Sequence, residues 1–397
     1  MKTLLAFSGG LDTSFCVLWL RDQGREVHTV TVDTGGFSPN ELSRIEKLAC
    51  ELGAASHRTI DARANLFADY LWFLLAGNVL RGGVYPLSVS AERVCQAEHV
   101  VKHALEIGAG ALAHGSTGAG NDQVRFDVAF RALTPELEIV TPIRDLALSR
   151  AEERAFLAER GFQFPEKLQQ YSLNEGMWGT SIGGKETHDS WQHLPEAVYP
   201  GGEIEDSLPA RSLTISFGEG APRAIDQNAA DPVSIIEQLN TLGRQYGIGR
   251  GIHLGDTILG IKGRIGFEAP AAHLLIAAHR ELEKLVLSAK QMFWKDQLGN
   301  LYGTLLHEGE FFDPVARDLE GFLRSSQRVV TGEVRLRLQP RSFTVEGVRS
   351  PHSLMRSDLA SYGEGTSLWS GSEAAAFSKV FGVRQMLALK ARKERTE

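Results

Sequence analysis

Through its first half the chain alternates short apolar runs with amphipathic stretches. Residues 3–7 form an apolar run ending in Ser8-Gly9-Gly10, and residues 13–21 carry helical spacing through Val17, Leu18 and Leu20. Residues 27–32 repeat the strand signal, closed by Asp33-Thr34-Gly35-Gly36. Residues 39–52 read as a helix with Pro39 at its start and Gly53 beyond its end. A weaker strand over 57–60, a long helix over 92–107 and strands over 111–114 and 139–143 continue the rhythm. Strands separated by helices predict a parallel sheet covered on both faces, and so an α/β domain.

Near residues 162–172 the rhythm changes. A glycine-rich stretch (176–184) and a Pro/Gly-rich connection (194–209) lead into a mixed pattern. Strands are predicted over 212–217 and 257–262, helices over 232–242 and 271–289, and a hairpin over 328–338 and 342–348. This predicts a second, α+β domain. A last helix, over 373–390, bears Phe377, Val380, Phe381 and Leu387. The expected organisation is a first domain over 1–165, a second over 166–365 and a helical segment over 366–397. An apolar stripe at a chain end gains little alone and predicts contact with another subunit.

Composition narrows the classes. With 397 residues, 43% of them apolar, the chain is long enough for two or three domains. The formal net charge of −7, with basic residues scattered, argues against a nucleic-acid partner. Cys16, Cys50 and Cys95 lie far apart without Cys-x-x-Cys spacing, which argues against a disulfide framework or structural zinc and favours a reducing cytoplasm. No stretch is apolar for the roughly 18–20 residues a membrane span needs.

The strongest chemical signal is Ala6-Phe7-Ser8-Gly9-Gly10-Leu11-Asp12-Thr13-Ser14, where the first strand hands over to the first helix. Glycines let the backbone approach an anion, and the amides opening the helix point at it. The hydroxyls of Ser8, Thr13 and Ser14 add donors. Asp12 suits either orientation of the loop or a metal. The Walker spacing is absent; the segment resembles instead the loop of the ATP pyrophosphatase group, which splits ATP between its α and β phosphates.

A second glycine-rich loop, running from His114-Gly115-Ser116-Thr117 through Gly120-Asn121-Asp122 to Arg125, follows another predicted strand. Arg125 can fork onto a carboxylate and Asp122 can accept from an ammonium, a pair suited to an amino acid. With this loop, with the segment from Tyr85 to Ser90, with Tyr171-Ser172-Leu173-Asn174-Glu175, with Gly260-Ile261-Lys262-Gly263-Arg264 and with Arg349-Ser350-Pro351, nearly the whole chain resembles the argininosuccinate synthase family.

That resemblance implies an enzyme that adenylylates the ureido oxygen of citrulline with ATP, releases pyrophosphate, and lets the α-amine of aspartate expel AMP. It implies ATP held by residues 6–14, by Val32 and by His114 and Gly115. It also implies aspartate held by Thr117, Asn121 and Asp122, and citrulline held by Tyr85, Ser90, Asn121, Arg125, Ser172 and Ser181. The second domain would be a synthetase and multimerisation domain, and the assembly a homotetramer.

Asp12, Asp122 and the AMP phosphate are candidates for taking the amine proton. Mg²⁺ is expected on phosphate oxygens, since no metal-ligand cluster stands out. The chain departs from the family where it carries Gly255 and Phe267 in place of a Glu and a Tyr. Asp256 or Glu268 are nearby replacements; otherwise an N-acylated citrulline becomes the alternative substrate. Another ligase of the ATP pyrophosphatase group and a nucleotide sensor are the competing functions. Lys167 is a candidate phosphate contact and Arg93 a candidate for a substrate carboxylate. Lys262 and Arg264 read as an ion-paired face, Trp178 as packing, and His273 and His279 as too poorly spaced for a metal pair.

Overall fold

A computed structural model describes residues 1–164, 171–360, 362–363 and 366–393. Contacts divide the chain into two units, 1–352 and 353–397. The first unit opens with β1 (Lys2–Ala6), α1 (Leu11–Asp22), β2 (Glu26–Asp33), α2 (Pro39–Glu51) and β3 (Ser56–Asp61). Short helices α3 (Arg63–Leu66) and α4 (Trp72–Ala76) flank a π-helical turn (Phe67–Leu71) and precede α5 (Ser90–Ile107). Then come β4 (Ala111–Ala113), α6 (Asn121–Leu133), β5 (Glu138–Val140), α7 (Pro142–Leu146) and α8 (Arg150–Ala158). The strands form one parallel sheet in the order β3-β2-β1-β4-β5. The order reverses beside β1, and both glycine loops leave strands at that reversal, where open α/β sheets bind ligands.

The remainder of this unit is antiparallel. Strands β6 (Tyr171–Gly176) and β7 (Gly179–Gly184), then β8 (Arg211–Gly218), β9 (Ala221–Ile225) and β10 (Asn228–Ala229), lead to α9 (Pro232–Gln245). After these come β11 (Arg250–Asp256), β12 (Lys262–Glu268), α10 (Pro270–Val286), α11 (Ala289–Glu308), α12 (Pro314–Gln327), β13 (Gly332–Gln339) and β14 (Ser342–Arg349). They form two sheets, β10-β9-β8-β13-β14 and β11-β12-β7-β6. One apolar core runs from Leu4 and Leu112 of the parallel sheet to Leu274, Leu306 and Leu336.

Two sequence expectations are corrected by the structure. Residues 257–261 are the turn of a β11–β12 hairpin rather than part of a strand, and Leu259 and Ile261 are exposed at its tip. Gly251, Gly255, Gly263 and Gly266 interrupt the true strands and hide their alternation. The helix expected over 271–289 ends at Val286, and α11 and α12 follow it; Ser288 caps α11 with a capping box to Gln291. The glycine-rich stretch 176–184 is the second half of the β6–β7 hairpin, turning at Met177-Trp178, with Trp178 buried and donating to the Pro86 carbonyl.

The second unit carries α13 (Gly371–Lys393), none of whose residues is buried. Phe377 and Phe381 stack at 5.3 Å on its exposed surface. No helix among the described residues is long and apolar enough to cross a membrane.

Candidate active site

A cavity of about 1370 Å³ opens at the carboxyl edge of the parallel sheet. Ala6, Phe7, Ser8, Gly9, Gly10, Leu11, Asp12 and Thr13 line one end, together with Val32, His114 and Gly115. Gly9 sits at φ +68°, and a Cβ there would stand 2.8 Å from Ile45, so glycine is required. Gly10 caps α1 without a side-chain hydrogen bond, which leaves the first helical amides open toward an anion. The Ser8 and Thr13 hydroxyls lie 3.3 Å apart. Ser14 does not line the cavity; it is buried under the loop, and its hydroxyl has no partner among the described residues.

Glu153 on α8 stands behind this loop, buried, and its carboxyl meets that of Asp12. Burial, then the Asp12 charge and the hydrogen bond between the two carboxyls, push Glu153 up to about 8, so that it carries the shared proton. Arg150 and Arg154 of the same helix line the cavity. Sequence reading passed over all three, because they follow the phosphate loop by more than a hundred positions and match no motif.

The second loop builds the other end. His114 is buried: its Nε2 meets Asp127 at 2.8 Å, its Nδ1 accepts from the Ser116 amide at 3.2 Å, and its ring stacks on Phe126. Asp127 in turn holds Arg144 at 2.9 Å. Thr117, Asn121, Asp122 and Arg125 line the cavity, and the Asn121 carbonyl accepts from the Ile258 amide, tying α6 to the β11–β12 turn. Both Asp122 oxygens are taken, one by Arg93 Nε and the other by Arg125 Nη1, each at 2.9 Å. Burial works to raise Asp122, but Arg93 and Arg125 outweigh it and hold it below the usual carboxylate range.

Arg125 is itself committed to Asp122, the His307 carbonyl and His307 Nδ1. These contacts take three of its five N–H donors and brace it against the cavity wall. Arg93 also reaches Asn174 of β6.

Tyr85, Ser90, Ser172 and Ser181 converge on this end. The Ser181 hydroxyl lies 3.1 Å from both Tyr85 and Ser88, and Ser90 pairs with His307 Nδ1 at 3.0 Å. His307, His253 and Gly255 also line the cavity. The two histidines lie on elements whose alternation the glycines obscured or whose helix was not foreseen. Of the departures noted in the sequence, Phe267 does not line the cavity; it is buried between Tyr85 and His273. Glu268 is buried and locked to Arg250 and Arg244, while Asp256 lines the cavity and pairs with Lys262 at 2.6 Å. Arg264 donates to the carbonyls of Glu186 and Asp189. His279 belongs to a buried network with Asn78 and Gln327. Lys167 lies outside the described residues.

A glycine loop without Walker spacing faces, across one cavity, a polar subsite built by a second glycine loop, an arrangement suited to a nucleotide-dependent ligase. Residues 2–163 match the family model "Arginosuccinate synthase N-terminal HUP domain", and residues 171–388 match "Arginosuccinate synthase C-terminal domain". The argininosuccinate synthase of Xanthomonas campestris pv. campestris is 42% identical over 391 residues, covering 97% of both chains. Those of Dictyoglomus turgidum and Methanocaldococcus jannaschii are each 39% identical, again covering 97% of both chains. The chain belongs to the argininosuccinate synthase family, ligases that form a C–N bond.

Proposed function

We propose that the protein joins citrulline to aspartate at the expense of ATP, leaving argininosuccinate, AMP and pyrophosphate, as a step of arginine biosynthesis. The observation that carries this reading is a single cavity in which the loop of residues 6–13 faces Tyr85, Ser90, Asn121 and Ser181. The α1 amides and the Ser8 and Thr13 hydroxyls take the phosphates. The opposite end holds the ureido group in line with the α-phosphorus, so that its oxygen attacks and pyrophosphate leaves; the aspartate amine then adds to the activated carbon and AMP departs. Positioning and charge neutralisation supply most of such a rate enhancement.

ATP is the nucleotide used. Mg²⁺ suits the site as an ion riding on phosphate oxygens, with Asp12 the carboxylate at hand; it would neutralise the leaving pyrophosphate. Asp122, doubly paired, is a poor proton acceptor, which leaves the amine proton to the AMP phosphate or Asp12. His114 and Gly115 shape the nucleotide end, Thr117, Asn121 and Asp122 the aspartate subsite, and Ser172 and Ser181 with Tyr85, Ser90 and Arg125 the citrulline subsite. An N-acylated citrulline is not favoured as the substrate.

Residues 1–165 act as the nucleotide domain, 166–365 as the synthetase domain, and 366–397 as the segment through which a homotetramer assembles in the cytoplasm. The exposed apolar face of α13 supports that assembly; an unchanged solution mass after deletion of residues 373–397 would refute it. For the reaction, pyrophosphate release should require both citrulline and aspartate and should leave AMP. Formation of ADP and orthophosphate would overturn the assignment.

A further inference from the structure

Strand β11 sets His253 and Gly255 two residues apart on one face, and both line the cavity. The His253 ring stacks on Tyr85 at 5.6 Å and 17°. Gly255 does not adopt a left-handed backbone, so its conformation alone does not demand glycine. A Cβ at position 255 would stand 2.5 Å from His253 Nε2, so any larger residue would turn the imidazole aside. The missing side chain is the seat of the ring.

The acidic groups at this end are committed elsewhere. Asp122 is held by two arginines and Asp256 by Lys262. Neither nitrogen of His253 is engaged by a described residue. Burial, reinforced by nearby Arg81, holds the imidazole below its ordinary value and so keeps a lone pair available at neutral pH. An amino-acid substrate brings an ammonium with three N–H donors into this region.

We propose that His253, seated on Gly255, accepts a hydrogen bond from the α-ammonium of citrulline and is a specificity-determining residue of this enzyme. The inference rests on the substrate reading above.

The test pairs a residue change with a substrate change. Wild type and His253→Phe, which keeps an aromatic ring against Tyr85, are compared on citrulline and on 5-ureidopentanoate, the same molecule without its amine. The readout is kcat/KM, or Ki against citrulline where the analogue does not react. Loss of a hydrogen bond to a charged group predicts a roughly ten- to hundredfold fall for citrulline. For the analogue the change should stay within about twofold, and the KM values of ATP and aspartate should hold.

Gly255→Ala should reproduce the pattern by displacing the ring, and His253→Gln, which keeps an acceptor, should recover most of the citrulline activity. Equal losses on both substrates, or none on citrulline, overturn the proposal and leave the substrate reading standing. Wild type that releases no pyrophosphate with citrulline and aspartate overturns both.

Discussion

Replacing Glu92 by Gln should flatten part of the protein's stability-versus-pH curve. Glu92 lies in the first turn of α5, 2% exposed, with Oε1 lacking a partner among the described residues. It accepts the Trp178 amide, and Gly176 packs so closely that a Cβ there would stand 1.8 Å from Oε1. Burial pushes its pKa from 4.5 to about 8, against the opposing pull of Arg93 and of that backbone hydrogen bond. The side chain therefore enters the fold as a neutral acid at pH 7.

The unfolded chain ionises near pH 4.5 and the folded one near 8, so between these values the folded state holds more protons. Stability from this group is full below pH 4.5 and declines as pH rises toward 8. At 1.36 kcal/mol per pH unit the whole span is worth about 5 kcal/mol, and the interval from pH 5 to 7.5 about 3 kcal/mol. Glu92→Gln keeps shape and acceptor but cannot ionise. Urea unfolding of both proteins across this interval should show the variant gaining about 3 kcal/mol on wild type as pH rises. A difference that stays constant with pH would refute the neutral buried acid.

Glu153→Ala should raise the KM of ATP several-fold by releasing Asp12, whereas Glu153→Gln, which still donates to Asp12, should stay near wild type; ATP titrations at pH 7 compare them. Gly9→Ala combines a left-handed backbone with contact on Ile45, and about 1–2 kcal/mol of conformational strain should appear as weaker ATP binding by calorimetry. Lys295 and Glu283, both fully buried, pair at 2.9 Å. Lys295→Met should cost about 3–5 kcal/mol in urea unfolding by leaving the carboxylate uncompensated, and adding Glu283→Leu should recover part of that loss.

The glycine loop of residues 6–13, with the strand and helix around it, was legible because local sequence dictates it. A strand run, two glycines and a hydroxyl-rich helix start are contiguous, and their physics needs nothing distant. The same holds for the β13–β14 hairpin. What stayed hidden was whatever depends on long-range contact. Arg125 looked free to grip a carboxylate, yet Asp122 and the distant His307 engage three of its five N–H donors. Glu153 joined Asp12 behind the first glycine loop only because α8 packs against α1. Gly255 read as a lost carboxylate, since no linear pattern reveals that an imidazole two residues earlier needs the vacated space. In this chain glycine therefore has two meanings: at Gly9 the backbone requires it, and at Gly255 it leaves room for a neighbouring ring. Only the first can be recognised before the fold is known.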